Sequence, residues 1–230
     1  MHLAGTQVVR NLRSLRVVDT DVFGGYLDGL TKLIAAATRL ECLNIACGDD
    51  DTHALFGLPL AGLRELHVHC VRLYATERLA ENPAFATLRT VTFHPHGFRR
   101  WFNDPDDTGG YLTVANVRDI AYSPHLQRLE HLQLNCCNAG DEGIDLLVNS
   151  GLLRRLKSLD LGHGCVTDAG ALTLVKALGG TPHALAVLKL GDNALSGDGV
   201  AALHRLKLTL DAPDQHAPGD DDYLTQGDFE

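Results

Sequence analysis

Three stretches of this chain lie over one another without a gap: LQLNCCNAGDEGIDLL from Leu132, LDLGHGCVTDAGALTL from Leu159 and LKLGDNALSGDGVAAL from Leu188. Each has leucine at its first, third and last positions and glycine at its twelfth (Gly143, Gly170, Gly199). A further leucine precedes each by three residues: Leu129, Leu156 and Leu185. The resulting core, L-x-x-L-x-L, recurs upstream with Val, Ile or Phe admitted, from Leu12, Leu40, Leu63 and Leu88, and in shortened form from Leu203. The starts stand 28, 23, 25, 41, 27, 29 and 18 residues apart. Self-similarity at that period means one supersecondary unit used repeatedly, which confines the chain to a stacked architecture.

The alternation in L-x-L makes a short strand with one face buried, and DEGIDLLVNSGLL, which follows the fifth strand, carries apolar residues at helical spacing after an acidic start. Strand then helix, repeated, implies an α/β fold: a curved solenoid with a parallel concave sheet and helices on the convex side. One unit cannot bury its leucines alone, so stacking supplies the core. Residues 1–210 read as a single array of seven to eight repeats with an insertion near 97–111, and 211–230 as an acidic C-terminal tail or cap.

With this pattern the chain resembles the leucine-rich repeat family, and its C-terminal units of 27 and 29 residues resemble the ribonuclease-inhibitor type. The resemblance spans residues 8 to 210 and implies the solenoid fold. It implies little about function, because the fold hosts many unrelated binding roles.

The six cysteines look at first like chemistry, above all the adjacent pair Cys136 and Cys137. Counted from the first leucine of each core, Cys137 falls at the ninth place, where Asn193 stands two repeats later. The chain must turn inward there, leaving backbone groups at the core edge in need of partners. Asn supplies both donor and acceptor, and Cys fills the site as a small buried side chain. Cys47, Cys70 and Cys136 lie one place earlier and Cys165 one place later, so a structural role covers five of the six. Cys42, on a strand, escapes it.

The formal charge of −9 is unevenly spread. Seven acids and no Lys or Arg fall between Asp211 and Glu230, so the repeats themselves are nearly neutral. Neither part offers a basic stripe for nucleic acid. No apolar run approaches membrane-spanning length, and the start lacks a signal peptide, so a cytoplasmic location with no membrane partner is expected. The array begins without a polar cap, so its N-terminal edge is a surface for an upstream domain, a partner or self-association.

Residues flanking the leucines point onto the concave face. At the third, fifth and seventh places stand Glu65, His67, His69; Thr90, Thr92, His94; His131, Gln133, Asn135; and Ser158, Asp160, Gly162 in the middle repeats. The insertion adds Arg99, Arg100 and the chain's one tryptophan, Trp101. It reads either as a contact loop, since Trp and Arg dominate binding hot spots, or as a packed cover for the slip in period. No P-loop, H-E-x-x-H, G-x-S-x-G or catalytic triad spacing is present, so no enzyme and no cofactor is expected. The sequence therefore points to a non-enzymatic module that binds a protein or peptide through Glu65, His67, His69, Thr92, His94, Arg99, Arg100, Trp101, His131, Gln133, Asn135 and Asp160. Two alternatives stay open. Neighbouring strands lie about 4.8 Å apart, close enough for the concave histidines, with Glu65, to share a zinc ion in a metal-binding or hydrolytic site; or the array is a structural segment of a larger chain.

Overall fold

The computed structural model describes residues 7–18, 29–46, 52–69, 73–95 and 111–217. Eight strands pair in chain order into one parallel sheet: β1 (Ser14–Val18), β2 (Cys42–Ala46), β3 (Glu65–His69), β4 (Thr90–His94), β5 (His131–Leu134), β6 (Ser158–Asp160), β7 (Val187–Lys189) and β8 (Thr209–Asp211). This is the expected α/β solenoid. The register sets the fourth-place residues opposite one another, from Leu15 through Leu43, Leu66, Val91, Leu132, Leu159 and Leu188 to Leu210. From Leu43 to Leu188 these side chains are wholly or almost wholly buried, whereas Leu15 and Leu210, with a neighbour on one side only, are half-buried.

Helices cover the other side of the core, and their size follows the repeat length. The longer C-terminal repeats carry Gly140–Asn149 and Asp168–Leu178, while the short repeats starting at Leu40 and Leu63 fit only His53–Phe56 and Thr76–Glu81. Aromatic side chains fill the space there: Phe56 stacks on Phe93 at 5.7 Å and meets Phe85 edge-on at 6.4 Å. Pro95 follows directly on β4, and the chain rejoins the repeat path at the buried Leu112, which bridges Cys137. Residues 96–110, the core of the insertion, lie outside the described residues. Among the described residues no helix is long and apolar enough to cross a membrane.

The turn after each of β5 to β8 repeats to within a few degrees. Cys136, His163, Asp192 and Asp214 share the eighth place and all adopt the left-handed conformation, with φ of 50°, 52°, 49° and 52°. Side chains other than glycine disfavour that region by roughly 1 kcal/mol or more. The conformation aims each eighth-place N–H at the seventh-place carbonyl of the next repeat: Cys136 to Gly162, His163 to Gly191, Asp192 to Pro213. The sheet's pairing thus continues past the strands.

The ninth place then satisfies the groups the turn exposes. Asn193 is fully buried; its Nδ2 donates to the carbonyls of Leu161 (2.9 Å) and Gly191 (3.1 Å), and its Oδ1 accepts from Val166 N (2.8 Å). Gln215 makes the same three bonds one repeat on, to Leu190, Pro213 and Leu195. Cys137, at this place in the fifth repeat, is buried and its thiol is pushed up to about 12 by desolvation, a structural side chain with no thiolate at neutral pH. The four described cysteines are free thiols.

The eighth repeat corrects the sequence reading. Leu203 ends the helix Gly197–Leu203, and the strand register places Leu210, not Leu206, opposite Leu188. The unit begins four residues later than LHRLKL suggests, and Asp211 to His216 are hydrogen-bonded into it although the array was expected to end at residue 210.

A second ladder explains the recurrent glycine. Asp141 accepts from Thr167 Oγ1 (2.6 Å), Thr167 N (2.9 Å) and Gly170 N (3.0 Å) in the next repeat. Asp168 bonds Ser196 in the same way, through Oγ (2.6 Å) and N (2.9 Å). A Cβ on Gly170 would overlap the Asp141 carboxylate, and one on Gly199 the Asp168 carboxylate. At the opposite end of the strands Arg13 pairs with Glu41, and Glu130 with both Arg89 (2.6 Å) and Lys157 (2.9 Å), a row of exposed or partly exposed ion pairs worth little individually.

Three expectations follow. Asn193→Ala strands one N–H and two carbonyls and lowers stability in urea denaturation by about 3 kcal/mol. Gly170→Ala, which at an ordinary helix position stabilises by up to about 1 kcal/mol, destabilises here. Asp141→Ala costs about 2 kcal/mol alone, and the double variant loses less than the two singles added; strict additivity would rule out the steric link. The Ser196 hydroxyl, then the Ser196 N–H, hold Asp168 below its ordinary value of 3.8. That contribution is present above pH 3.8 and is lost as pH falls through the lower folded value. Asp168→Asn therefore has a shallower fall of Tm with acidification across that window than wild type.

Candidate functional site

The register arranges the concave side chains in three rows. The third-place row runs Ser14, Cys42, Glu65, Thr90, His131, Ser158, Val187, Thr209, and the fifth-place row Arg16, Asn44, His67, Thr92, Gln133, Asp160, Lys189, Asp211. The seventh-place row sets Val18 beside Ala46, Ala46 beside His69 and His69 beside His94. The alternation that buries the leucines puts these groups on the opposite face.

Neighbours along the rows bind one another. His67 Nδ1 lies 3.0 Å from Thr92 Oγ1, and His131 Nδ1 lies 2.8 Å from Ser158 Oγ. Lys189 Nζ stands 3.5 Å from Asp160 Oδ2. Burial lowers the pKa of His67 against the opposing pull of Glu65, whose Oε2 is 3.9 Å from His67 Nε2. His67 is thus held neutral at neutral pH. The middle of this surface dips into an open trough of about 130 Å³ lined by Thr90, Thr92, His131, Gln133, Asp160 and Lys189 among others. Small-molecule pockets typically run from about 300 Å³ upwards, so the trough is too shallow to enclose one.

Asn135 follows β5 at the seventh place. It is 7% exposed, its N–H donates to Phe93 O at 3.1 Å, and its side chain reaches the backbone of Gly162, where a Cβ would stand 3.3 Å from Nδ2. Among the described residues nothing donates to its Oδ1.

The structure brings the sequence-nominated residues onto one face but not to one point. Glu65, His67 and His69 share β3, Thr92 and His94 share β4, His131 and Gln133 share β5, and Asp160 ends β6. His131 sits in the third-place row, roughly 13 Å along the strand direction from the seventh-place row of His69 and His94. The shared zinc site proposed for all the concave histidines is therefore not assembled. The His, Cys, Asp or Glu side chains that do converge, among the described residues, are Cys42, Glu65 and His67, with donor atoms within 4.8 Å of one another. Arg99, Arg100 and Trp101 lie outside the described residues.

His163 was missed. It sits at the eighth place, outside the three rows read from the strands, yet its ring stacks at 6.4 Å and 18° on His94, which in turn lies 6.1 Å from His69. Asp192, at the same place in the next repeat, approaches its Nδ1 at 3.3 Å. Reading the turn positions as a fourth row would have found it. Ser158 and Lys189 were on the rows but were passed over as site residues.

The family model described as "Leucine Rich repeat" matches residues 124–148 and 154–175. Among solved structures, a protein of Bacteroides fragilis superposes with a TM-score of 0.60 at 14% identity, covering 93% of this chain and 69% of that one. An internalin of Listeria monocytogenes gives a TM-score of 0.49 at 14% identity, with 88% of this chain and 47% of that one covered. No curated protein matches the chain. At these identities the structural likeness concerns the fold alone. The family match falls on the fifth and sixth repeats, where the leucine spacing is regular, and the in-register strands carry the same unit across the described array: the chain contains leucine-rich repeats stacked in register.

Proposed function

We propose that this chain is a non-enzymatic interaction module that holds a protein or peptide partner across the concave face of β3 to β6. Stacked repeats present extended concave surfaces of this kind for binding. Glu65, His67, His69, Thr92, His94, His131, Gln133, Asn135 and Asp160 supply the polar contacts in this reading. Arg99, Arg100 and Trp101 of the inserted loop extend the surface on the sequence grounds given above.

The observation that carries the reading is the open trough of about 130 Å³ on the concave face, lined by Thr90, Thr92, His131, Gln133, Asp160 and Lys189 among others. Hydroxyls, an amide, an imidazole, a carboxylate and an ammonium stand side by side along it, donors and acceptors for a polypeptide backbone. This shallow, wide surface fits a chain lying across the strands better than an enclosed small molecule.

The test separates function from structure. Gln133→Ala truncates a side chain that lines the trough, and its Tm stays close to that of wild type. In affinity capture with the tagged chain, a bound protein held by wild type is lost at least about tenfold by Gln133→Ala, the equivalent of about 1.4 kcal/mol. The pair Arg118→Ala and Glu142→Ala, on the convex helices, leaves capture intact. Undiminished capture by the Gln133 variant sinks the proposed surface.

A further inference from the structure

We propose that Cys42, Glu65 and His67 form a binding site for a borderline divalent transition-metal ion, zinc being the best fit. The site takes Glu65 and His67 from the partner-binding surface proposed above, adds Cys42, and is tested without any partner. Three observations converge on it.

First, the donors are a matched set from two adjacent strands. The register places Cys42 directly opposite Glu65 and Asn44 opposite His67, so thiol, carboxylate and imidazole rise from one patch of the concave face. Their ligating atoms lie within 4.8 Å of one another, with His67 Nε2 and Glu65 Oε2 at 3.9 Å. Tetrahedral ligands at zinc's bond lengths stand about 3.3 to 3.8 Å apart. The patch therefore needs only small side-chain rotations to close on an ion, with the fourth position open to the groove for water. Mixed S, N and O donors suit zinc or cobalt and disfavour magnesium or calcium, which take oxygen ligands.

Second, the histidine is already oriented. Nδ1 of His67 is engaged by Thr92 Oγ1 at 3.0 Å, which leaves Nε2 facing Glu65. When Nδ1–H donates to that hydroxyl, the Nε2 lone pair is the one directed at the site. A ligating histidine ordinarily has its other nitrogen held by such a group.

Third, Cys42 has no other assignment. Of the described cysteines, Cys136 and Cys137 are buried at the turns and Cys165 lies beside them, whereas Cys42 alone is on a strand and half-buried on the concave face. Binding displaces its thiol proton to solvent as the sulfur–metal bond forms. One proton leaves per ion, and nothing is oxidised or reduced.

Tag-free, fully reduced protein titrated with cobalt(II) reads the site directly through the thiolate-to-cobalt charge-transfer absorbance. A band saturating at about one equivalent and erased by zinc is expected. Cys42→Ser abolishes it, His67→Gln weakens affinity at least about tenfold, and Thr92→Val, which touches only the orienting hydroxyl, weakens it by about tenfold. Circular dichroism establishes that the variants are folded; should Cys42→Ser not fold, His67→Gln decides. No band in the wild type, a band that survives Cys42→Ser, or an affinity unchanged in His67→Gln overturns the assignment. Because no partner enters the measurement, its outcome is independent of whether the trough binds a partner.

Discussion

Parallel strands exchange hydrogen bonds only in register, and a solenoid must keep that register through the turns as well as the strands. Here the turn is where the constraint bites. Four successive repeats accept a left-handed, non-glycine residue at the eighth place so that its N–H meets the carbonyl of the repeat above in three of them. The strain is offset by continuity: strand, turn and capping amide form one ladder from repeat to repeat, and Asp141 and Asp168 repeat the device on the helical side. Each unit completes its neighbour, and half-burial of Leu15 and Leu210 shows what a unit loses where the stack has no further neighbour among the described residues.

Most of this was legible because leucine spacing reports register. Seven repeat starts read from the sequence coincide with the strand pairing, including the slip of the fourth repeat, since a buried fourth-place side chain tolerates no shift. The eighth failed for a specific reason. Leu203, Leu206 and Leu208 reproduce the L-x-x-L-x-L spacing, but Leu203 and Leu206 are buried at the end of the preceding helix. The turn was the better guide: Pro213, Asp214 and Gln215 stand where Gly191, Asp192 and Asn193 stand one repeat before, and Gln215 makes the same bonds as Asn193 with a longer side chain. The glycine at the twelfth position was visible as a pattern, yet its cause needed three dimensions: the carboxylate of the previous repeat at Gly170 and Gly199, and the Ala139 methyl at Gly143.

The concave face was legible as a set of residues and not as a site. Period-two alternation assigns a side chain to a face but says nothing of reach. The histidines expected to share a metal are divided between rows, and each of two is engaged by a hydroxyl from the next strand. Cysteine proved the more informative residue type. Once the turn explained Cys136 and Cys137, the cysteine left on the strand pointed to the set that does converge.

The two proposed sites overlap on β3, at Glu65 and His67, and draw on different physics. Metal binding at β2 and β3 would bridge neighbouring strands of five residues each, flanked by repeats with small helices. It would thus stiffen the part of the array with the least helical cover, by linkage proportional to the logarithm of ion concentration over its dissociation constant. The trough runs from β4 towards β7, beside the longer, better-covered repeats. Thr92 links the two: it orients His67 from β4, the strand that also lines the trough. An ion that fixes His67 also fixes the Thr92 hydroxyl, so a partner contacting Thr92 would meet a preorganised group in the metal-bound chain and a freer one without it. By reciprocity of binding free energies, such a partner would tighten the ion by the same factor as the ion tightens the partner.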